Sequence, residues 1–246
     1  MKVRLNSVTG IDDAIVSMFV SKHTLTSELE DQIRNTVESV TSRDGKYCPS
    51  VLISEEVENY NKWVTQLCSW WKRHITMLRF IDFSVTVYGL HRGGQDDWDA
   101  HAKRFDNRII RNSSRAGGIK RFDNLQNLSD YYKDKVLTTD AAVELLNLDL
   151  PDTIKYNDSV YIRTFNGYIR EDCKDNQDVK RGLYNLGFPS DFIFKINLTE
   201  YAHVYKERNS KGTANPEVKE CAESLADQIE NFQPKFTRDL LLEILN

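Results

Sequence analysis

Apolar residues recur along this chain at two spacings. Lys2 to Ser7 (KVRLNS) alternates and predicts a first strand. Ile11, Ala14, Ile15, Met18 and Phe19 fall on one face of a helix over Ile11–Val20. Leu29, Ile33 and Val37, spaced by fours, predict a second helix over Ser27–Val40, and the polar stretch Thr41 to Pro49 reads as a loop. Glu55 to Arg73 predicts a third helix carrying Tyr60, Trp63, Trp70 and Trp71. Such a stripe reads first as core, because aromatic side chains bury large areas, and only second as a base-stacking platform. Phe83 to Val87 predicts a strand, and Tyr131 to Leu148 one or two helices with Val136, Leu137, Ala141, Leu145 and Leu146 apolar. Thr153 to Arg170 has the pattern of a β-hairpin, with turn signals at Asn157-Asp158 and Asn166-Gly167. Phe192 to Ile196 predicts a buried strand ending at Asn197; Glu217 to Phe232 is amphipathic, and Thr237 to Leu245 predicts a last short helix. The fold class is α+β: a mostly antiparallel sheet flanked by helices.

The 246 residues suffice for one substantial domain or two small ones, with 40% hydrophobic and 28% charged residues as in ordinary soluble proteins. A net charge of −4 supplies no global basic field for nucleic acid. No apolar run reaches the length of a membrane span, and MKVRLNSVTG lacks the apolar core of a signal peptide, so the expected setting is the cytoplasm. Cys48, Cys68, Cys173 and Cys221 are far apart in sequence, without a CxxC pair; they read as free buried thiols in a reducing compartment, and no metal site is expected.

Candidate chemistry gathers between Arg181 and Glu217. Asn197 followed three residues later by Glu200 has the form of a capping box, so a helix begins where the strand ends. That helix carries His203 and Arg208, and Arg181 precedes the strand. Polar groups at a strand-to-helix junction can form a site for an anionic ligand. Taken singly, Asn197 serves as a cap, Arg181 and Arg208 as solvated charges and His203 as a surface imidazole.

The stretch resembles the C-terminal signature of the flavin-dependent thymidylate synthases through Arg181, Leu186 with Pro189, Asn197, His203, Arg208 and Ala214-Asn215-Pro216-Glu217-Val218. The last segment sits one residue late, and Asn215 replaces the usual Gln. His74 and Thr76 match a His-x-Thr corner, with Arg79 where a Glu is usual, and Tyr88 to Arg92 is similar to the entry of the family's long central helix. Ser113-Ser114-Arg115 matches a Ser-x-Arg element once a few extra residues are accepted. The departure lies at Ala100-His101-Ala102, where the family has Arg-His-Arg. Two alanines cannot supply charge or hydrogen bonds to a flavin. Thr199 also stands where the family often has an Arg. Lys103, Arg104, Arg108 and Arg111 are candidates to replace the lost charge, or form the solvated face of a helix.

The resemblance implies one domain over 1–246 with an insertion at about 119–180. It implies methylation of dUMP to dTMP with methylenetetrahydrofolate, FAD and NADPH, and a homotetramer with sites between subunits. Arg208 would be catalytic. Ser113, Arg115, Arg181 and Arg208 would bind substrate; His74, Thr76, His101, Asn197 and His203 would bind the flavin. Two other readings stand beside it: a related one-carbon transferase on another pyrimidine nucleotide, and a nucleotide-binding paralogue that has lost flavin.

Overall fold

The computed structural model describes residues 1–49, 54–70, 72, 74–101, 108–111, 128–164, 167–176, 179, 181–183, 186–209 and 215–244, with the side chains of Ala100, His101 and Arg181 left out. The chain divides into two compact units. One comprises Lys2–Val87, Gly94–Ile110 and Phe192–Asn246; the other comprises Met1, Tyr88–Gly93 and Arg111–Asp191. The fold is α+β, with antiparallel sheets flanked by helices.

Strands β1 (Lys2–Thr9), β2 (Asp82–His91), β3 (Arg108–Arg111) and β7 (Pro189–Asn197) form a sheet in the order β1-β2-β7-β3, of which the larger unit holds β1, the start of β2, most of β3 and the end of β7. Strict alternation puts Leu5, Phe83, Val85, Val87, Phe192, Phe194 and Ile196 in the core. Helices α1 (Ile11–Ser21), α2 (Ser27–Val40) and α3 (Glu55–Trp70) pack against one another. Tyr60 and Trp63 are buried, so at these two positions the aromatic stripe of α3 is core. A 3-10 helix, Ile75–Phe80, leads into β2 and packs on α1.

Gly10 joins β1 to α1 with φ 79°, and a Cβ there would stand 2.1 Å from the Phe80 carbonyl oxygen. Only glycine accepts both the left-handed backbone and that approach. At the outer edge of the sheet, β1 is met by α7 (Pro216–Phe232). Gln228 on α7 accepts the Leu5 N–H at 2.7 Å and donates to the Val3 carbonyl at 3.0 Å. A helix side chain thereby seals groups that an edge strand would leave open.

The smaller unit holds α5 (Thr139–Leu145) and an antiparallel sheet in order β4-β5-β6 (Thr153–Tyr156, Ser159–Thr164, Gly167–Arg170). Asn157 and Asp158 both have positive φ, 48° and 60°, as a two-residue type I′ turn requires. The predicted hairpin is thus a three-stranded meander; its second turn includes residues outside the description. The predicted helical region Tyr131–Leu148 contracts to α5, and Val136, Leu137, Leu145 and Leu146 are exposed.

Helix α4 covers Arg92–His101, and Arg108 and Arg111 lie on strand β3. The helix-face expectation for these two arginines is therefore corrected. Arg108 instead donates to the Asp82 carboxylate at 2.8 Å, which Lys195 also approaches at 3.1 Å. Lys103 and Arg104 lie outside the described residues.

Candidate active site

The junction of β7 and α6 (Leu198–Asn209) organises the described part of the site. Asn197 is 4% exposed, and its side-chain oxygen accepts the Glu200 N–H at 3.0 Å and the Thr199 hydroxyl at 2.7 Å. This is the predicted cap, and it fixes where the strand stops and the helix axis begins. The Leu198 N–H donates to the Ile81 carbonyl at 2.9 Å, tying the start of α6 to the end of the 3-10 helix.

Along α6, Leu198, Tyr201, Ala202, Val204 and Tyr205 face the core. Arg208 follows on the last turn and is only 4% exposed. It is thus not the solvated cation that its sequence context allows. Nη1 donates to the Asp97 carboxylate at 3.5 Å, and Nη2 donates to the Asp97 main-chain carbonyl. Nε is buried with no hydrogen-bond partner among the described residues. Burial pulls the guanidinium below its ordinary pKa, opposed by the charges of Asp97 and Glu207. Beside this pair, Trp98 is buried against Phe194 with ring centroids 5.2 Å apart, anchoring α4 to the sheet.

His74 and Thr76 are exposed at the start of the 3-10 helix, a segment that packs on α6. His203 is half-buried on α6. Asn197, His203, Arg208, His74 and Thr76 all belong to the larger unit. Arg181 lies in a short 3-10 turn, Arg181–Leu183, in the smaller unit. His101 is the last residue of α4, and Ser113 and Arg115 lie outside the described residues. Asn215, which departs from the family's Gln, caps α7 by accepting the Glu217 N–H at 3.0 Å, with Pro216 in the first turn.

Two solved structures share this architecture. One is the crystal structure of flavin-dependent thymidylate synthase ThyX from Helicobacter pylori complexed with FAD and dUMP. The chain is similar to it with TM-score 0.58 and 15% identity, covering 98% of this chain and 99% of that one. The other is Thymidylate Synthase X (ThyX) from Helicobacter pylori with FAD and dUMP. Here the TM-score is 0.59 and the identity 15%, with 99% of this chain and 100% of that one covered. The fold is that of the flavin-dependent thymidylate synthases. No protein-family model matches the sequence, and no curated protein does.

Within this fold, the buried Arg208 pairs with Asp97, a residue that the sequence does not single out. Asp97 lies 111 positions earlier, in a run of acids that reads as a polar helix face. No spacing signal marks it. Among the described residues no helix is long and apolar enough to cross a membrane, and no group of three or more His, Cys, Asp or Glu could hold a metal ion.

Proposed function

We propose that this chain is a flavin-dependent thymidylate synthase, converting dUMP to dTMP with methylenetetrahydrofolate as one-carbon donor, FAD as flavin and NADPH as reductant. The carrying observation is Arg208: a buried guanidinium on the helix leaving β7, in a thymidylate synthase fold, with a buried Nε–H that has no acceptor among the described residues. The FAD and dUMP held by the two Helicobacter pylori proteins support the ligand pair.

Arg208 polarises the pyrimidine ring by donating to one of its oxygens. A preorganised donor in a dry site stabilises negative charge as it develops, without reorganisation of solvent. Ser113, Arg115 and Arg181 hold the nucleotide, the phosphate being the natural partner of Arg115. The donor set fits a flavin held by hydrogen bonds: His74 and Thr76 present exposed polar groups on a segment packed against α6, and His203 lies on α6 itself. These three, with Asn197 and His101, would hold it. Reduced flavin supplies the hydride when bound. No protein thiolate is required, in keeping with Cys221, whose thiol is pushed up by burial. The working assembly is a homotetramer in the cytoplasm, with sites between subunits.

A second reading, nucleotide binding without flavin, is favoured by Ala100 and Ala102 in place of the family's two arginines. An absorbance spectrum of the purified protein separates the two, taken before and after FAD and then dUMP are added, followed by gel filtration. Flavin bands that stay with the protein, and dTMP formed on adding the cosubstrates, support the synthase. Colourless protein that retains dUMP supports the second reading. Flavin-dependent turnover of a different pyrimidine nucleotide, with dUMP inert, would move the assignment to a related one-carbon transferase.

A further inference from the structure

Arg208 and Asp97 form a pair whose geometry goes beyond a salt bridge. Both terminal nitrogens of the guanidinium go to the same residue: Nη1 to the carboxylate of Asp97, Nη2 to its main-chain carbonyl. The Arg208 side chain is 5% exposed and that of Asp97 42% exposed, so the acid compensates the buried cation from the wetter side. A guanidinium is rigid and planar. Holding both terminal nitrogens therefore fixes the plane of the group and with it the direction of the N–H at Nε. That Nε–H has no hydrogen-bond partner among the described residues. A buried donor left in that state is costly unless an acceptor arrives to meet it.

We propose that Asp97 is the positioning residue for Arg208: it holds the two terminal nitrogens, neutralises the guanidinium before substrate binds, and leaves Nε–H as the donor for a pyrimidine ring oxygen. This rests on the reading above that Arg208 meets the nucleotide base. It carries a selectivity. A guanidinium already paired with a carboxylate offers a hydrogen bond with little net charge. It donates to an uncharged ring carbonyl and disfavours a ring that is already an anion, because the anion and the Asp97 carboxylate repel. Asp97 thereby selects neutral pyrimidines in the ground state and reserves the cation's field for charge that grows during reaction.

The test is Asp97→Asn, which preserves side-chain shape and the main-chain carbonyl while removing the charge. Equilibrium binding is measured for dUMP and for its 5-nitro analogue, whose ring is an anion at neutral pH. The variant should shift the affinity ratio toward the analogue by about tenfold. Asp97→Glu, which keeps the charge, should hold the wild-type ratio. A packing role alone would change both affinities together; an unchanged ratio in Asp97→Asn, or an Asn-like ratio in Asp97→Glu, overturns the proposal while dUMP binding itself leaves the nucleotide reading standing. A second measurement needs no nucleotide: solvent exchange of the Arg208 Nε–H resonance in ¹⁵N-labelled protein, assigned by its loss in Arg208→Lys. Exchange severalfold faster in Asp97→Asn is expected. If the wild type binds neither nucleotide, the functional reading fails separately, and this resonance alone decides the positioning role, unchanged exchange overturning it.

Discussion

The side chain of Gln228 bridges two successive main-chain groups of β1, accepting from Leu5 N–H at 2.7 Å and donating to Val3 carbonyl at 3.0 Å. The apolar Gln228→Met, of similar length, leaves both partly buried groups without these partners. The loss is expected to be about 1–3 kcal/mol. Urea denaturation should show a lower midpoint at unchanged slope. A stability within error of wild type would show that solvent replaces Gln228 at no cost.

Asn197 caps α6 with its side-chain oxygen, and the same atom receives the Thr199 hydroxyl. Asn197→Ala should cost about 1 kcal/mol, within the range for lost caps. For a chain of this size that lowers Tm by about 2–4 °C. Asn197→Asp keeps an acceptor at the helix start and should lie closer to wild type. Equal melting of all three proteins would rule out the cap as a stabilising contact.

Gly10→Ala puts a methyl group 2.1 Å from the Phe80 carbonyl oxygen on a backbone with φ 79°. The left-handed conformation alone costs an L-residue roughly 1–2 kcal/mol, and the clash adds to it because the obstacle is backbone. Chemical denaturation should register a loss larger than that of the Asn197 cap. A smaller loss would mean that the β1–α1 turn and the 3-10 helix part easily.

Arg208→Ala should lower turnover about 100- to 1,000-fold, the usual loss for one preorganised donor at a developing oxyanion. Steady-state formation of dTMP checks it, with circular dichroism to show that the fold is intact. A variant that folds and turns over normally would remove Arg208 from the chemistry.

Cys221 is fully buried, and its thiol is pushed above the ordinary range by desolvation, whereas Cys48 is exposed. Native protein at pH 8 should therefore release colour from a disulfide reagent at Cys48 quickly and at Cys221 only on unfolding. The native state retains a proton at Cys221 that the unfolded chain loses near its ordinary pKa of about 8.5. This group's contribution is accordingly full below that pKa and declines as pH rises from it toward the folded value. Rapid modification of Cys221 in native protein, located by peptide mapping, would contradict the packing of α7.

Local features were the legible part of this chain. The alternation of Phe192, Phe194 and Ile196 announced β7, and Asn197 announced the start of α6, because a two-residue period and a cap each depend on neighbouring atoms only. The Asn157-Asp158 pair announced its turn for the same reason. The apolar run around Leu137, Leu145 and Leu146 misled, since apolar periodicity measures a capacity for burial and says nothing of what covers it. Arg108 misled because a basic residue in a polar stretch suits a helix face as well as a strand that pairs with Asp82. The partnership of Asp97 and Arg208 could not be read at all. It joins one acid among several to an arginine on another helix, and only the folded chain chooses the pair.

The bond between Leu5 and Gln228 spans 223 positions of sequence. A chain emerging from the ribosome carries its first strand long before the glutamine that closes its edge has been made. Until α7 has been made, β1 lacks this seal and is open to pairing with any passing strand, including its counterpart on a neighbouring nascent chain. Closure of this edge therefore waits for α7, and a chain truncated before α7 would have an unsealed sheet edge even with every strand in place.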